Sequence, residues 1–64
     1  MKLKIGSIYE IITLRKILPQ QWKQESYSGI IINANSSFVE LMDNEKGVVR
    51  LKLKSLFEVK EIGK

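Results

Sequence analysis

Three cations recur at every second position near the C-terminal end of the sequence: Arg50, Lys52 and Lys54, interleaved with Val49, Leu51 and Leu53. Successive side chains of a strand point to opposite faces, so this spacing puts all three charges on one face, about 6 to 7 Å apart, with the apolar residues behind them. Such a stripe can follow the phosphates of a nucleic-acid strand and release their counterions. It can equally be an ordinary solvated face that protects a sheet edge, with Lys52 answering Glu40 across a hairpin. Trp22 and Tyr27 flank a polar stretch that also carries Lys23, a combination suited to stacking bases or holding a proline-rich peptide. Trp22 would otherwise be expected to fold back and close one end of a small core.

Other chemistry is limited by what the chain lacks. The 64 residues contain no cysteine and no histidine, which removes thiol nucleophiles, thiolate metal sites, disulfides and the commonest general base. No pair of carboxylates stands at a spacing that argues for acid–base work, so no enzyme activity and no cofactor are expected. Asp43, Asn44 and Glu45 supply three oxygen-bearing side chains in one short stretch. They fall well short of a calcium loop, and turn formation explains them better.

Eleven Lys and Arg against seven Asp and Glu give a net charge of +4, which makes nucleic acid a candidate partner. No apolar run approaches the roughly 20 residues a membrane helix needs, and the charged start Met1-Lys2-Leu3-Lys4-Ile5-Gly6 leads into no signal-peptide core. A cytoplasmic protein without membrane contact is expected. The preference for Lys, Ile and Asn points to an AT-rich source, a bacterium, phage or plasmid.

The cations must be held by a small all-β domain occupying the whole chain. Ser7-Ile8-Tyr9-Glu10 has the form of a helical capping box, so Ser7 to Leu18 admits a helix. Ile8, Tyr9, Ile11, Ile12 and Thr13 are β-branched or aromatic, and a strand is expected over about Ser7 to Leu14. Pro19 to Glu25 reads as a loop. Tyr27 to Asn33 reads as a strand covered on both sides and bent at Gly29. Ser37 to Asn44 and Val48 to Ser55 form a hairpin around Glu45-Lys46-Gly47. A three-residue loop ending in a left-handed Gly47 would set Leu41 opposite Leu51, Val39 opposite Leu53 and Glu40 opposite Lys52. A short turn then leads to a last strand, Phe57 to Ile62, with Phe57 and Val59 inward.

Five short strands in one small chain are expected to close into a strongly bent antiparallel barrel, with a short 3-10 turn before the last strand. The order Gly6-Ser7-Ile8-Tyr9-Glu10, Tyr27-Ser28-Gly29-Ile30-Ile31, Phe38-Val39-Glu40-Leu41 and Val49-Arg50-Leu51 to Leu56-Phe57-Glu58-Val59 resembles the Sm-like and Src-homology-type small barrels. The resemblance implies architecture only, because these folds host RNA, DNA and peptide binding alike. It does not extend to the Asp and Asn pair with which Sm proteins hold a base, since Asn33, Asn35 and Asn44 do not stand in that arrangement.

Two functions follow as expectations. The first is a small accessory or regulatory protein that binds RNA or DNA through Arg50, Lys52 and Lys54, aided by Lys23 and by Trp22 or Tyr27. The second is a protein-interaction module or homo-oligomer that binds through Phe38, Met42 and the stretch from Pro19 to Tyr27. Phe38 and Met42 are expected to share the outer face with Glu40, where exposed apolar side chains invite a partner.

Overall fold

The computed structural model describes residues 3–63. The described chain forms five strands: β1 (Ile8–Leu18), β2 (Gln21–Ala34), β3 (Phe38–Asp43), β4 (Gly47–Lys52) and β5 (Leu56–Gly63), with one 3-10 turn at Leu53–Ser55 before β5. They make one antiparallel sheet in the order β4-β3-β2-β1-β5. The expected all-β class and the turn before the last strand are present, and the helix over Ser7 to Leu18 is not formed. Among the described residues, β4 and β5 are the two edges of the sheet, and no ladder joins them.

One face of the sheet carries the core. Tyr9 and Ile11 of β1, Tyr27 and Ile31 of β2, Val39 and Leu41 of β3 and Leu51 of β4 are buried together. Every one of them has an odd number, which is the alternation of a half-buried sheet carried across four strands. The even face of β2 is not covered, contrary to the expectation for Tyr27 to Asn33. Ile30 remains 44% exposed and Ile32 43%, because a single sheet layer packs its core on one face only.

β2 passes close to β3 where it carries no side chain. Gly29 lies opposite Asp43 of β3, and a Cβ on Gly29 would overlap the backbone carbonyl of Met42. The close passage of the two backbones therefore requires glycine.

The β3–β4 hairpin closes one residue earlier than expected, over Asn44 to Lys46, which shifts the cross-strand pairing by two. Observed partners are Val39 with Leu51, Leu41 with Val49, and Glu40 with Arg50, so the expected facing of Leu41 with Leu51 and of Glu40 with Lys52 is corrected. The reason is Asp43. Its Oδ2 accepts the N–H groups of Glu45 and Lys46, both at 2.9 Å, which closes the loop over Asn44, Glu45 and Lys46. Gly47 then pairs with Asp43 and takes the left-handed conformation expected of it, with φ of +79°. A shift of two keeps every side chain on its expected face.

Two further expectations are corrected. Pro19 to Glu25 is not a loop, because Pro19 and Gln20 alone make the turn, Gln20 at φ of 66°, and β2 begins at Gln21. Proline followed by a residue of positive φ is the combination a tight type II turn needs. Phe57 does not point inward. It sits at a break in the β1–β5 register, between Ile12 facing Glu58 and Thr13 facing Leu56, and is 64% exposed. Val59 does pack against the core.

Asp43 is buried on the core face, and its Oδ1 accepts the Ser28 N–H at 2.8 Å. The Ser28 N–H, followed by that of Glu45, holds its carboxyl below the ordinary value of 3.8, against the opposing effect of burial. A lowered native pKa stabilises the fold above the ordinary carboxylate range, and the contribution is lost as pH falls through it. Urea unfolding should thus show stability declining below about pH 5, and Asp43→Asn should flatten that decline. Asp43→Ala should lower stability by about 2 kcal/mol or more at neutral pH. Gly29→Ala should destabilise by about 1–3 kcal/mol or more. An unchanged urea midpoint for Gly29→Ala would contradict the close passage of β2 and β3.

Candidate nucleic-acid interface

The stripe of cations is split between two elements. Arg50 and Lys52 lie on the exposed face of β4, whereas Lys54 belongs to the 3-10 turn that follows. The three still line one concavity of about 430 Å³, together with Ser36, Ser37, Phe38 and Leu53. Asn35 shapes its rim by accepting the N–H groups of Ser37 and Phe38 at 2.7 and 2.9 Å. This is an Asx-type closure of the β2–β3 connection.

Arg50 is the cation whose charge is answered. Its Nη2 stands 3.3 Å from Glu40 Oε2, and its guanidinium lies over the Phe38 ring at 4.4 Å. The correction from Lys52 to Arg50 as partner of Glu40 follows from the register that Asp43 sets. Both groups reach solvent, so the pair contributes no more than about 1 kcal/mol and leaves the Arg50 side chain available. Lys52 faces Phe38 across the strands, and among the described residues neither Lys52 nor Lys54 has an ion-pair partner.

The β4 edge adds backbone groups to these side chains. Leu53 donates its N–H to Ser37 at 3.0 Å. By the alternation of an antiparallel ladder, the backbone groups of Arg50 and Lys52 then face away from β3.

The long β1–β2 hairpin brings further cations that the sequence reading did not single out. β5 pairs with β1 only as far as Thr13, and β3 pairs with β2 from Gly29 onward. Leu14 to Gln24 is consequently a two-stranded ribbon, and every residue from Arg15 to Gln24 is exposed. Arg15 faces Lys23 directly, and Lys16 faces Trp22, with the Lys16 Nζ 5.9 Å from the indole ring. A detectable signal was the absence of any acidic residue from Ile11 to Gln24.

Arg15 and β4 border the same groove. Thr13, Arg15, Glu25, Tyr27, Val49, Arg50, Leu51, Lys52 and Ser55 enclose about 440 Å³. Three cations from two elements meet there, with Glu25 as the acidic member of the lining.

Of the aromatic candidates, Trp22 is 57% exposed on the ribbon and does not close the end of a core. Tyr27 is part of the core, with the Lys46 Nζ 4.1 Å over its ring. The two stand at positions of opposite parity on β2, so the structure does not bring them together. Lys23 shares the parity of Tyr27 but lies on the ribbon, beside Arg15.

Phe38 is half-buried beneath Arg50, and Met42 is 46% exposed. Met42 belongs to an apolar row: Ile8 faces Ile30, Ile30 faces Met42, and Met42 faces Val48. Both carboxylate oxygens of Asp43 are occupied by backbone N–H groups, which gives the acidic turn a structural role. No family model, curated protein or solved structure matches the chain.

The exposure of Trp22 has a direct optical consequence. Because it is the single tryptophan, native emission should be red-shifted and quenched by acrylamide nearly as well as in the unfolded chain. Blue-shifted, protected emission in dilute solution would contradict the exposed ribbon.

Proposed function

We propose that this protein binds nucleic acid, along a cationic track that runs from the ribbon across the groove to β4 and the 3-10 turn. The observation that carries this reading is the meeting of Arg15, Arg50 and Lys52 around one open groove, continued by Lys54 in the adjoining concavity. Three cations outnumber the acids beside them, Glu25 in the lining and Glu40 paired with Arg50, so the groove keeps an excess of positive charge. A polyanion is attracted to that excess, and its binding is favoured by the release of counterions.

The domain acts as a non-catalytic accessory or regulatory protein of the cytoplasm of a bacterium or its mobile elements. The absence of Cys and His and the Lys-rich, Ile-rich composition support that reading. Its architecture is read as a Src-homology-type small barrel open between β4 and β5. The strand order and the 3-10 turn before β5 support it.

A second reading rests on the row Ile8, Ile30, Met42 and Val48, which crosses four strands on the outer face. An apolar row of this kind suits a protein partner or a second copy of the chain.

Replacing Arg50, Lys52 and Lys54 together with Gln separates the two. The substitutions leave the buried face untouched, so the fold should persist. Nucleic-acid affinity at fixed salt should fall, and the slope of log K against log salt should flatten by about two to three units. Unchanged nucleic-acid binding by the triple variant would remove β4 and the 3-10 turn from the track, and no binding by the parent at low salt would transfer the function to the apolar row.

A further inference from the structure

We propose that the ribbon from Leu14 to Gln24 is an arm that enters a groove of duplex DNA, a mode of binding that rests on the nucleic-acid reading above. The observation behind it is that the arm is built against its own stability in water. Two strands without a third are marginal at best, and directly opposed like charges weaken a strand pair further. The arm nevertheless places Arg15 opposite Lys23, with Lys16 on the other face and no acid between Ile11 and Gln24. None of these cations has an ion-pair partner among the described residues. An arrangement with cations on both faces calls for anions on both sides, which the two phosphate walls of a groove supply.

With the arm entering tip first, its turn meets the floor of such a groove and the neighbouring side chains line its approach. Gln20, Gln21 and Gln24 are exposed, and a carboxamide offers both a donor and an acceptor to a base edge. Ile17, Leu18 and Trp22 are each more than half exposed, and they offer apolar contact to thymine methyl groups or a wedge against a base step. Size agrees as well. Two strands about 4.8 Å apart with their side chains match the major groove of B-form DNA, about 12 Å wide. The deep, narrow major groove of double-stranded RNA does not admit them.

An anionic membrane would also attract the cations, but the tip argues against insertion. Gln20 and Gln21 sit in and beside the turn, and their amides and the turn backbone would lose their hydrogen bonds in hydrocarbon.

The test uses the whole chain and the variant Arg15→Gln/Lys23→Gln, followed by Trp22 emission and by the anisotropy of a labelled probe. The probes are a short mixed-sequence DNA duplex, one of its single strands, the RNA duplex of the same sequence, and phosphatidylglycerol vesicles. The parent should bind the DNA duplex most tightly, with a change in Trp22 emission. The double variant should lose about tenfold or more in duplex affinity at moderate salt, and its salt slope should flatten by about two units. Its urea midpoint should equal or exceed that of the parent, because a repulsion is removed. Three results would overturn the proposal: preference for the single strand or the RNA duplex, a Trp22 response to vesicles but not to DNA, or parental duplex affinity in the double variant. If the double variant binds as the parent does while the Arg50, Lys52 and Lys54 variant fails, the arm is excluded and the nucleic-acid reading stands. If the parent binds no nucleic acid, both fall.

Discussion

The carboxylate of Asp43 ties together the parts on which the rest of this structure depends. One oxygen accepts the N–H of Ser28 on β2, and the other accepts those of Glu45 and Lys46 in the β3–β4 turn. A charged acceptor satisfied by three backbone donors is strong and directional. It decides where β4 begins, and hence that Arg50 rather than Lys52 meets Glu40. The neighbouring constraint is steric. Gly29, directly opposite Asp43, allows β2 to pass close to the carbonyl of Met42. The register of the β3–β4 hairpin and the close passage of β2 and β3 are thus set at one place, and the position of the β4 cations follows.

The consequence is a sheet with unequal faces and two free edges. One face carries seven buried side chains, while the other keeps an apolar row. The edge at β4 is lined by charge, a common guard against unwanted strand pairing, and here it also borders a groove. The ribbon extends the same charge beyond the body of the domain. Cations on an edge strand alone would be unremarkable. Cations on the edge and the turn, joined by Arg15 of the ribbon around two adjoining hollows, form a surface suited to a polyanion.

Much of this was legible from residue types. The alternation in Phe38 to Met42 and Val49 to Lys54 marked two strands and their buried faces, although the second strand ends at Lys52, and the position of Gly47 marked a left-handed turn. Parity survived the shift in register because hydrophobic burial fixes which face a side chain takes, whereas the exact pairing depended on Asp43 capping the turn. The ribbon was missed for a different reason. With both faces in water, Gln21 to Glu25 has no apolar alternation, so its polarity resembles that of a loop. Phe57 was misplaced because a register break removes it from the alternation that Val59 still obeys. At the candidate site, Arg50, Lys52 and Lys54 were visible from spacing, and Lys23 and Trp22 from type. Arg15 and Lys16 became meaningful only once the long hairpin placed them across from Lys23 and Trp22.

The central claim concerns where a nucleic acid touches the chain, and mapping of backbone amide shifts during titration with duplex DNA tests it most directly. The account predicts that the largest changes fall on Arg15 to Gln24 and on Arg50 to Lys54, with the row Ile8, Ile30, Met42 and Val48 little affected. Changes confined to that apolar row, or none on either the ribbon or β4 at low salt, would contradict it.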